Sequence, residues 1–554
     1  MRLKLFVLIC CCMTPIYAET KHPEQTAVAS AHPLATHAGL AIIQAGGNAF
    51  DAAVAVSATL AVVEPYSSGI GGGGFWLLHR AKDGKQVMID GRETAPSKAH
   101  RDMYLDKNGL VIPELSINGA RSAGIPGVPA ALVHMNKKYG RLPLQQNLKA
   151  AIRFAREGFE VTPMYRRMAT FRLEALKSST AAAAIFLKNN KVPPLGYKIK
   201  QHDLAQTLEQ IAQRGNAGFY QGKVAKLLVD GNQKAGGIWQ LKDLRDYSIK
   251  TRQPLTGQYN GYKITSVAPP SSGGTTILSI LNMLEADNLA EQSKLQRSHL
   301  LIEAMRRAYR DRAEYLGDTD FVKVPLDKLL SKQYGSQLRK TIKTDRATPS
   351  ETLKAVAISD SGFHTTHFSI LDKEGNRVAA TLSINYPFGS CFVPPGTGVL
   401  LNDEMDDFSS KPGVPNAYGL VGAEANAIAP NKRMLSSMSP TFVENNEQLA
   451  ILGTPGGSRI ITMVLHGILG FVDGQAANEI VAQPRFHHQY LPDVVQFETA
   501  AFSSKELDEL KLKGHQFKQL DGQYGNMQMI IWNKKQNKVS AASDPRGEGL
   551  SVVK

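Results

Sequence analysis

Between Thr26 and Glu64, small and apolar residues follow one another almost without a polar break. Only Gly46-Gly47-Asn48 interrupts them, which predicts two close-packed helices joined by a tight turn. A glycine run follows, Gly69-Ile70-Gly71-Gly72-Gly73-Gly74, leading into the strand-like Phe75-Trp76-Leu77-Leu78-His79. Residues 120–345 are mostly helical in spacing, as from Ser298 to Tyr315, and are expected to cover a central sheet. Past Gly362 the period shortens to two. Thr366 to Asp372 alternates, Lys373-Glu374-Gly375 is a turn, and Asn376 to Asn385 alternates again.

Aspartate at the first turn position and glycine at the fourth suit a type I turn closed by a left-handed glycine. The result is a three-residue hairpin loop. Asp372 then pairs with Asn376, and counting back sets Thr365 opposite Ser383. Directly opposed side chains share a face, with Cβ atoms about 4.5–5.5 Å apart, so the two hydroxyls are expected to meet. A slip of one residue would part them. Asn385 lies two residues further along the same face. Gln448 to Leu452 reads as a strand, Gly453 to Gly457 as a glycine-rich turn, and Ser458 to Leu469 as a helix.

A chain of 554 residues is long enough for three or four domains, yet no Pro/Ser-rich linker or charge run divides it. One large interlocked unit fits equally well. At the N-terminus, Arg2 and Lys4 precede the apolar run Leu5 to Met13 and the small residue Ala18. That pattern is an export leader, residues 1–18, and is too short to span a bilayer. Cys10, Cys11 and Cys12 also raise lipid attachment, against which the bulky Ile9 stands. The mature chain is expected to be periplasmic or secreted, with no stable membrane insertion. Cys391 is then its one cysteine, which excludes an internal disulfide and reads as a buried small hydrophobe. The net charge of +15 comes from scattered Lys and Arg without a nucleic-acid motif, so no nucleic-acid partner is expected. The glycine run leads into a strand rather than a helix, which argues against a dinucleotide loop and for close backbone approach near a pocket.

Several separated motifs occur in one order along the chain. They are Ala31-His32-Pro33-Leu34-Ala35, Gly91-Arg92-Glu93-Thr94-Ala95-Pro96 and His364-Thr365-Thr366-His367-Phe368-Ser369. Asn402 to Phe408 (NDEMDDF), Leu435 to Pro440 (LSSMSP), Thr454 to Arg459 (TPGGSR) and Ala542 to Arg546 (ASDPR) follow. Together they resemble the γ-glutamyltransferases, members of the N-terminal-nucleophile hydrolases, over nearly the whole mature chain. The resemblance implies an α/β (α+β) fold, a four-layer αββα sandwich. It also implies cleavage between His364 and Thr365 into a large subunit, 19–364, and a small catalytic subunit, 365–554, which stay together as a heterodimer.

Scission would give Thr365 a free α-amine, with a reference pKa of about 7.7–8.0, beside its own hydroxyl. A threonine hydroxyl is a weak nucleophile, and such a base is what it lacks. The resemblance further makes Thr365 perform the cut itself, through an ester with His364 that water resolves. It makes Ser383 the partner that orients the nucleophile, at a position where the family often has Thr. Gly456 and Gly457 would form the oxyanion hole at the entrance of the following helix. Arg92, Ser436 and Ser437 would read an α-carboxylate, and Glu404, Asp407 and Asn385 an α-ammonium. Tyr418, in the Pro/Gly-rich segment Lys411 to Leu420, would cover the bound head group as a lid. Asp403 stands where the family usually has Asn.

The implied activity is transfer of a γ-glutamyl group from glutathione or a related compound to water or to an amino-acid or peptide acceptor. No cofactor is implied. The adjacent His487 and His488 lack a third ligand and are expected to pack or hydrogen-bond rather than hold metal. Two alternatives stay open at this level: a cephalosporin acylase or capsule-polymer transpeptidase on the same scaffold, and an uncleaved, inactive binding homologue.

Overall fold

The strand β1, Ala27–Ser30, is paired on both sides, with β13 (Leu550–Val553) on one edge and β7 (Thr366–Leu371) on the other. The chain's first described segment is thereby woven between two segments that lie over 300 residues away. The structure is a computed structural model and describes residues 22–353, 365–411, 413, 414, 420 and 422–554. Residues 27–30 are therefore a strand, not the start of the helix that the sequence pattern predicts from Thr26 onward. His32 is the N-cap, with extended backbone and a side chain accepting from Leu34 N–H, and Pro33 opens the helix at a position where its missing N–H costs nothing.

Two antiparallel sheets carry the fold. The first has the order β13-β1-β7-β8-β2-β3-β4, where β2 is Gly73–Arg80, β3 Lys85–Asp90, β4 Lys250–Arg252 and β8 Arg377–Ser383. The second has the order β12-β11-β10-β9-β6-β5. Here β5 is Leu255–Tyr259, β6 Tyr262–Ser266, β9 Thr441–Glu444, β10 Gln448–Gly453, β11 Gln528–Asn533 and β12 Lys538–Ser543. Each sheet contains strands from before residue 354 and from after residue 364, so neither half of the chain completes a sheet alone.

Leu77, Leu371 and Ala379 of the first sheet meet Phe442, Ile451, Ile530 and Trp532 of the second in an apolar layer between them. Outside the first sheet, Phe368, Ile370, Val378 and Leu382 pack with α1 (Pro33–Gln44) and α2 (Ala49–Val63). All fifteen residues of α2 are buried, which explains why its sequence shows no polar face. Outside the second sheet lie α4 (Gly273–Leu284), α5 (Lys294–Tyr315) and α6 (Ile460–Val472), while α3 (Pro163–Phe171) belongs to the first helical layer. The result is the four-layer αββα sandwich expected from the motifs.

Helix α5 is polar in sequence yet largely buried, because its charges are paired inside the protein. Glu303 receives Arg307 at 2.7 Å and Arg306 at 3.2 Å, and Arg306 also reaches Asp493. Among the described residues, no helix is long and apolar enough to cross a membrane.

Candidate active site

The hairpin β7–β8 turns as its residues dictate. Asp372 N–H donates to Asn376 O and Gly375 N–H to Asp372 O, both at 3.0 Å, and Gly375 adopts φ +86°. The Asp372 carboxylate accepts from Glu374 and Asn376 N–H with one oxygen and from Ala49 N–H, at the start of α2, with the other. The turn is thus bolted to a buried helix. Leu371 faces Arg377 and Thr366 faces Leu382, a register whose next pair is Thr365 with Ser383. Thr365 Oγ1 donates to Ser383 Oγ at 3.5 Å, and Ser383 Oγ accepts Asn385 N–H at 2.7 Å. Asn385 holds φ +72°, a left-handed conformation that asparagine tolerates, and so turns its backbone back onto Ser383.

Thr366 points to the opposite face of the strand, where its hydroxyl donates to Glu64 Oε2 at 2.7 Å. Burial, helped by Glu548, raises the Glu64 carboxyl to about 7. His367 bonds Thr381 Oγ1 at 2.8 Å between the sheets, and burial lowers it to about 3, so it stays neutral.

The glycine run makes the close approach its composition suggested. A Cβ on Gly72 would stand 2.1 Å from Ser383 O, and one on Gly71 2.1 Å from Leu400 O. Asn402 then ties this run to the acidic motif. Its Nδ2 donates to Gly71 O and Gly124 O, and its Oδ1 accepts from Gly124 N–H and Glu404 N–H. Asp403 Oδ1 accepts Tyr386 N–H at 2.9 Å, and its carbonyl accepts the Asn385 amide at 3.1 Å.

Thr365, Ser383, Asn385, Glu404, Asp407, Ser436, Ser437 and Gly457 line one cavity, together with Met438 and Leu420. Arg92 lies behind them and is fully buried. Its guanidinium donates to Glu404, to Asp407 and to Met434 O, so the expected carboxylate reader and the expected ammonium readers are bound to one another here. Burial raises the Glu404 carboxyl to about 7 against the opposing pull of Arg92. A second guanidinium, which the sequence reading missed, comes from α5. Arg312 is buried, donates to Ser272 Oγ at 2.9 Å and to Ser437 Oγ at 3.3 Å, and forms no ion pair with a described carboxylate. Nothing in the sequence distinguishes it from Arg306, Arg307 and Arg310 on the same helix.

Past β10 the chain enters its glycine turn. Gly456 has φ +142° and Gly457 φ +57°, and a short 3-10 turn, Gly457–Arg459, leads into α6. The first N–H groups of such a helical entrance have no carbonyl within the helix and carry its positive pole. Ser458 fixes the turn from both ends, its Oγ donating to Gln489 Oε1 at 2.6 Å and its carbonyl accepting Tyr309 Oη–H at 2.5 Å. Gly457 faces the cavity, whereas Gly456 faces a larger neighbouring groove.

Tyr418 and His364 lie outside the described residues, as does the leader. Cys391 is buried, which pushes its thiol up to about 11 and leaves it a packing residue. His487 bonds Thr462 Oγ1 and Gln489 Oε1, and His488 bonds Asp493, both as buried hydrogen-bonding groups.

A buried hydroxyl pair and a glycine turn at a helix entrance, beside a buried cluster that carries both charges, form an arrangement that acyl transfer can use. A protein-family model described as gamma-glutamyltranspeptidase matches residues 35–553. The glutathione hydrolase proenzyme of Escherichia coli (strain K12) is 42% identical over 95% of this chain and 91% of its own length. Among solved structures, a cephalosporin acylase from Bacillus halodurans superposes with TM-score 0.84 at 27% identity, covering 99% of both chains. The Helicobacter pylori gamma-glutamyltranspeptidase is 44% identical with TM-score 0.57, covering 58% of this chain and 93% of its own.

Proposed function

The chain belongs to the γ-glutamyltranspeptidase family, and from that premise we propose that Thr365 is the nucleophile of a self-cleaving glutathione hydrolase and γ-glutamyltransferase. The observation that carries this reading is the cavity in which the Thr365–Ser383 hydroxyl pair faces Gly457 and the Arg92–Glu404–Asp407 cluster. Thr365 Oγ first attacks the carbonyl of His364, and water resolves the resulting ester to leave subunits 19–364 and 365–554. The freed α-amine then takes the hydroxyl proton as Oγ attacks the γ-carbonyl of the donor. Gly456 and Gly457 N–H groups receive the developing oxyanion, and the leaving amine departs with that proton. Water or an acceptor amine resolves the γ-glutamyl–Thr365 ester.

In the bound state Arg92, Ser436 and Ser437 hold the donor's α-carboxylate, and Glu404, Asp407 and Asn385 hold its ammonium. The Arg92 ion pairs must therefore open toward the ligand, with Arg312 supporting Ser437 from behind. Residues 1–18 direct the chain out of the cytoplasm. The cephalosporin acylase shares the architecture at lower identity, and glutaryl donors lack the ammonium that Glu404 and Asp407 would read.

Two measurements test this. N-terminal sequencing of the smaller fragment should begin Thr365-Thr366-His367. The processed enzyme should turn over γ-glutamyl-p-nitroanilide far faster than glutaryl-p-nitroanilide. An active protein with an unbroken 364–365 bond, or a preference for the glutaryl donor, overturns the proposal.

A further inference from the structure

Two glycines in succession leave the turn at Gly456–Gly457 without a side chain to hold it. Both have positive φ, and glycine is the residue with the most conformational freedom to lose. Donors aimed at a developing oxyanion work only if they are already in place when the charge appears. On the β10 side, Thr454 Oγ1 accepts Asn526 N–H at 3.1 Å and pins the approach to the turn. On the α6 side the hydrogen bonds converge on Ser458.

Ser458 is buried, and its carbonyl and hydroxyl are held by different parts of the chain. The carbonyl accepts the Tyr309 hydroxyl of α5 at 2.5 Å, and the hydroxyl donates to Gln489 Oε1 at 2.6 Å. The Gln489 amide faces this way because its nitrogen lies 3.3 Å from Leu491 O, which can only accept. Oε1 takes a second donor, His487 Nε2–H at 2.8 Å. Burial keeps His487 neutral, and a neutral imidazole that donates from Nε2 accepts at Nδ1. There it meets Thr462 Oγ1 at 2.9 Å, in the first turn of α6; that hydroxyl also lies 3.1 Å from Arg459 O. Tyr309, His487 and Gln489 are all buried. Four residues beyond Gln489, Asp493 accepts from Arg306 of α5 and bonds His488 at 3.1 Å, which anchors the segment.

We propose that Tyr309 and Gln489 are positioning residues for the oxyanion turn, acting through Ser458, one on its carbonyl and the other on its hydroxyl. This rests on the γ-glutamyltransferase reading above, in which the Gly456 and Gly457 N–H groups receive the oxyanion. Ser458 lines the cavity and these two residues do not, so they hold the turn from behind. Tyr309 and Arg306 precede the proposed cut, whereas Ser458, His487 and Gln489 follow it. The turn's geometry therefore depends on the two proposed subunits staying docked. Formation and breakdown of the Thr365 ester both pass through an oxyanion at the acyl carbon, so one clamp serves both steps.

The test uses processed two-chain enzyme carrying Tyr309→Phe, Ser458→Ala or Gln489→Met, and the double variants of Ser458→Ala with each of the others. Steady-state kinetics with γ-glutamyl-p-nitroanilide are read beside thermal unfolding. Each single change removes one hydrogen bond made by Ser458, so kcat should fall about fivefold while the donor KM stays unchanged. Packing loss alone would lower the unfolding temperature without singling out kcat. Ser458→Ala and Gln489→Met delete the two ends of one bond, so their double variant should be no slower than the slower single. Ser458→Ala and Tyr309→Phe delete separate bonds, so together they should slow kcat toward about 25-fold. Wild-type kcat in Tyr309→Phe and Ser458→Ala overturns the proposal and leaves the family activity standing. So does a Gln489→Met loss that multiplies with that of Ser458→Ala. If Gln489→Met does not mature, the Tyr309→Phe and Ser458→Ala pair decides. A Gly456→Ala enzyme with full kcat overturns the oxyanion reading itself, and this proposal with it.

Discussion

Thr365 Oγ1 and Ser383 Oγ stand 3.5 Å apart, across a register set by a turn at Asp372–Asn376 that touches neither of them. The contact is long, as apo catalytic hydrogen bonds often are before substrate tightens them. Ser383 also holds the Asn385 backbone, so one oxygen links Thr365 to a second residue of the cavity lining. Ser383→Ala should therefore slow both self-cleavage and turnover, by about fivefold for loss of one hydrogen bond worth roughly 1 kcal/mol. Ser383→Thr should restore both. Cleavage half-lives on a denaturing gel and kcat for γ-glutamyl-p-nitroanilide measure this, and a Ser383→Ala protein as fast as wild type removes the residue from the mechanism.

Arg92 and Arg312 should separate in their effects. Arg92→Ala leaves Glu404 and Asp407 buried without their cation, so it should destabilise the fold by about 3–5 kcal/mol as well as weaken donor capture. Arg312 holds Ser437 and Ser272 rather than a carboxylate, so Arg312→Gln should spare stability more. Its KM for the donor should rise about tenfold with little change in kcat, consistent with one charge-assisted hydrogen bond worth roughly 1.5 kcal/mol. Chemical denaturation alongside steady-state kinetics distinguishes the two.

On the proposed reading, Glu404 links donor capture to pH. Burial raises its carboxyl from 4.5 to about 7, so it is ionised above that pH and protonated below it. Only the ionised form attracts an ammonium. On acidification kcat/KM should fall through about pH 7, and Glu404→Gln should lower kcat/KM at pH 8 while flattening that limb. The freed Thr365 α-amine, a group whose reference pKa is about 7.7–8.0, should leave its own limb in kcat. An unaltered pH profile for kcat/KM in Glu404→Gln contradicts the assignment.

Gly456 occupies φ +142°, where an L side chain is strained, and a Cβ there would meet Met463 Cε at 2.4 Å. Gly456→Ala should displace the turn proposed to supply the oxyanion donors. The expected loss is about 10²–10³ in kcat with a smaller change in KM.

Glu64→Gln should be visible in stability. A carboxyl raised to about 7 in the folded chain from 4.5 favours folding while protonated, and that contribution is lost as pH rises through about 7. The burial cost at pH 8 is on the order of 3 kcal/mol. A neutral glutamine side chain in its place still accepts the Thr366 hydroxyl and carries no such cost. Thermal unfolding should therefore show the variant more stable than wild type at pH 8, with the gap closing by pH 5.

The two helices around Gly46–Asn48, the β7–β8 hairpin and its register were legible because each is decided by neighbours in the chain. Turn chemistry fixes a pairing locally, and a period of two fixes which side chains share a face. The strand at Ala27–Ser30 was not legible, since it owes its conformation to β7 and β13, hundreds of residues distant. Its small apolar residues suit a helix as well as a strand buried on both faces.

The sequence by itself determined the strand that pairs beside Thr365, the glycine turn and the family, because these rest on local signatures or ordered motifs. Only the tertiary structure decided that Arg92 is clasped by Glu404 and Asp407, that Arg312 rather than its neighbours on α5 reaches Ser437, and that Glu64 ends beside Thr366. A charged residue's role depends on which partner reaches it after burial. Burial is set by how sheets and helices from both ends of the chain close over one another, and no local pattern of residues encodes that closure.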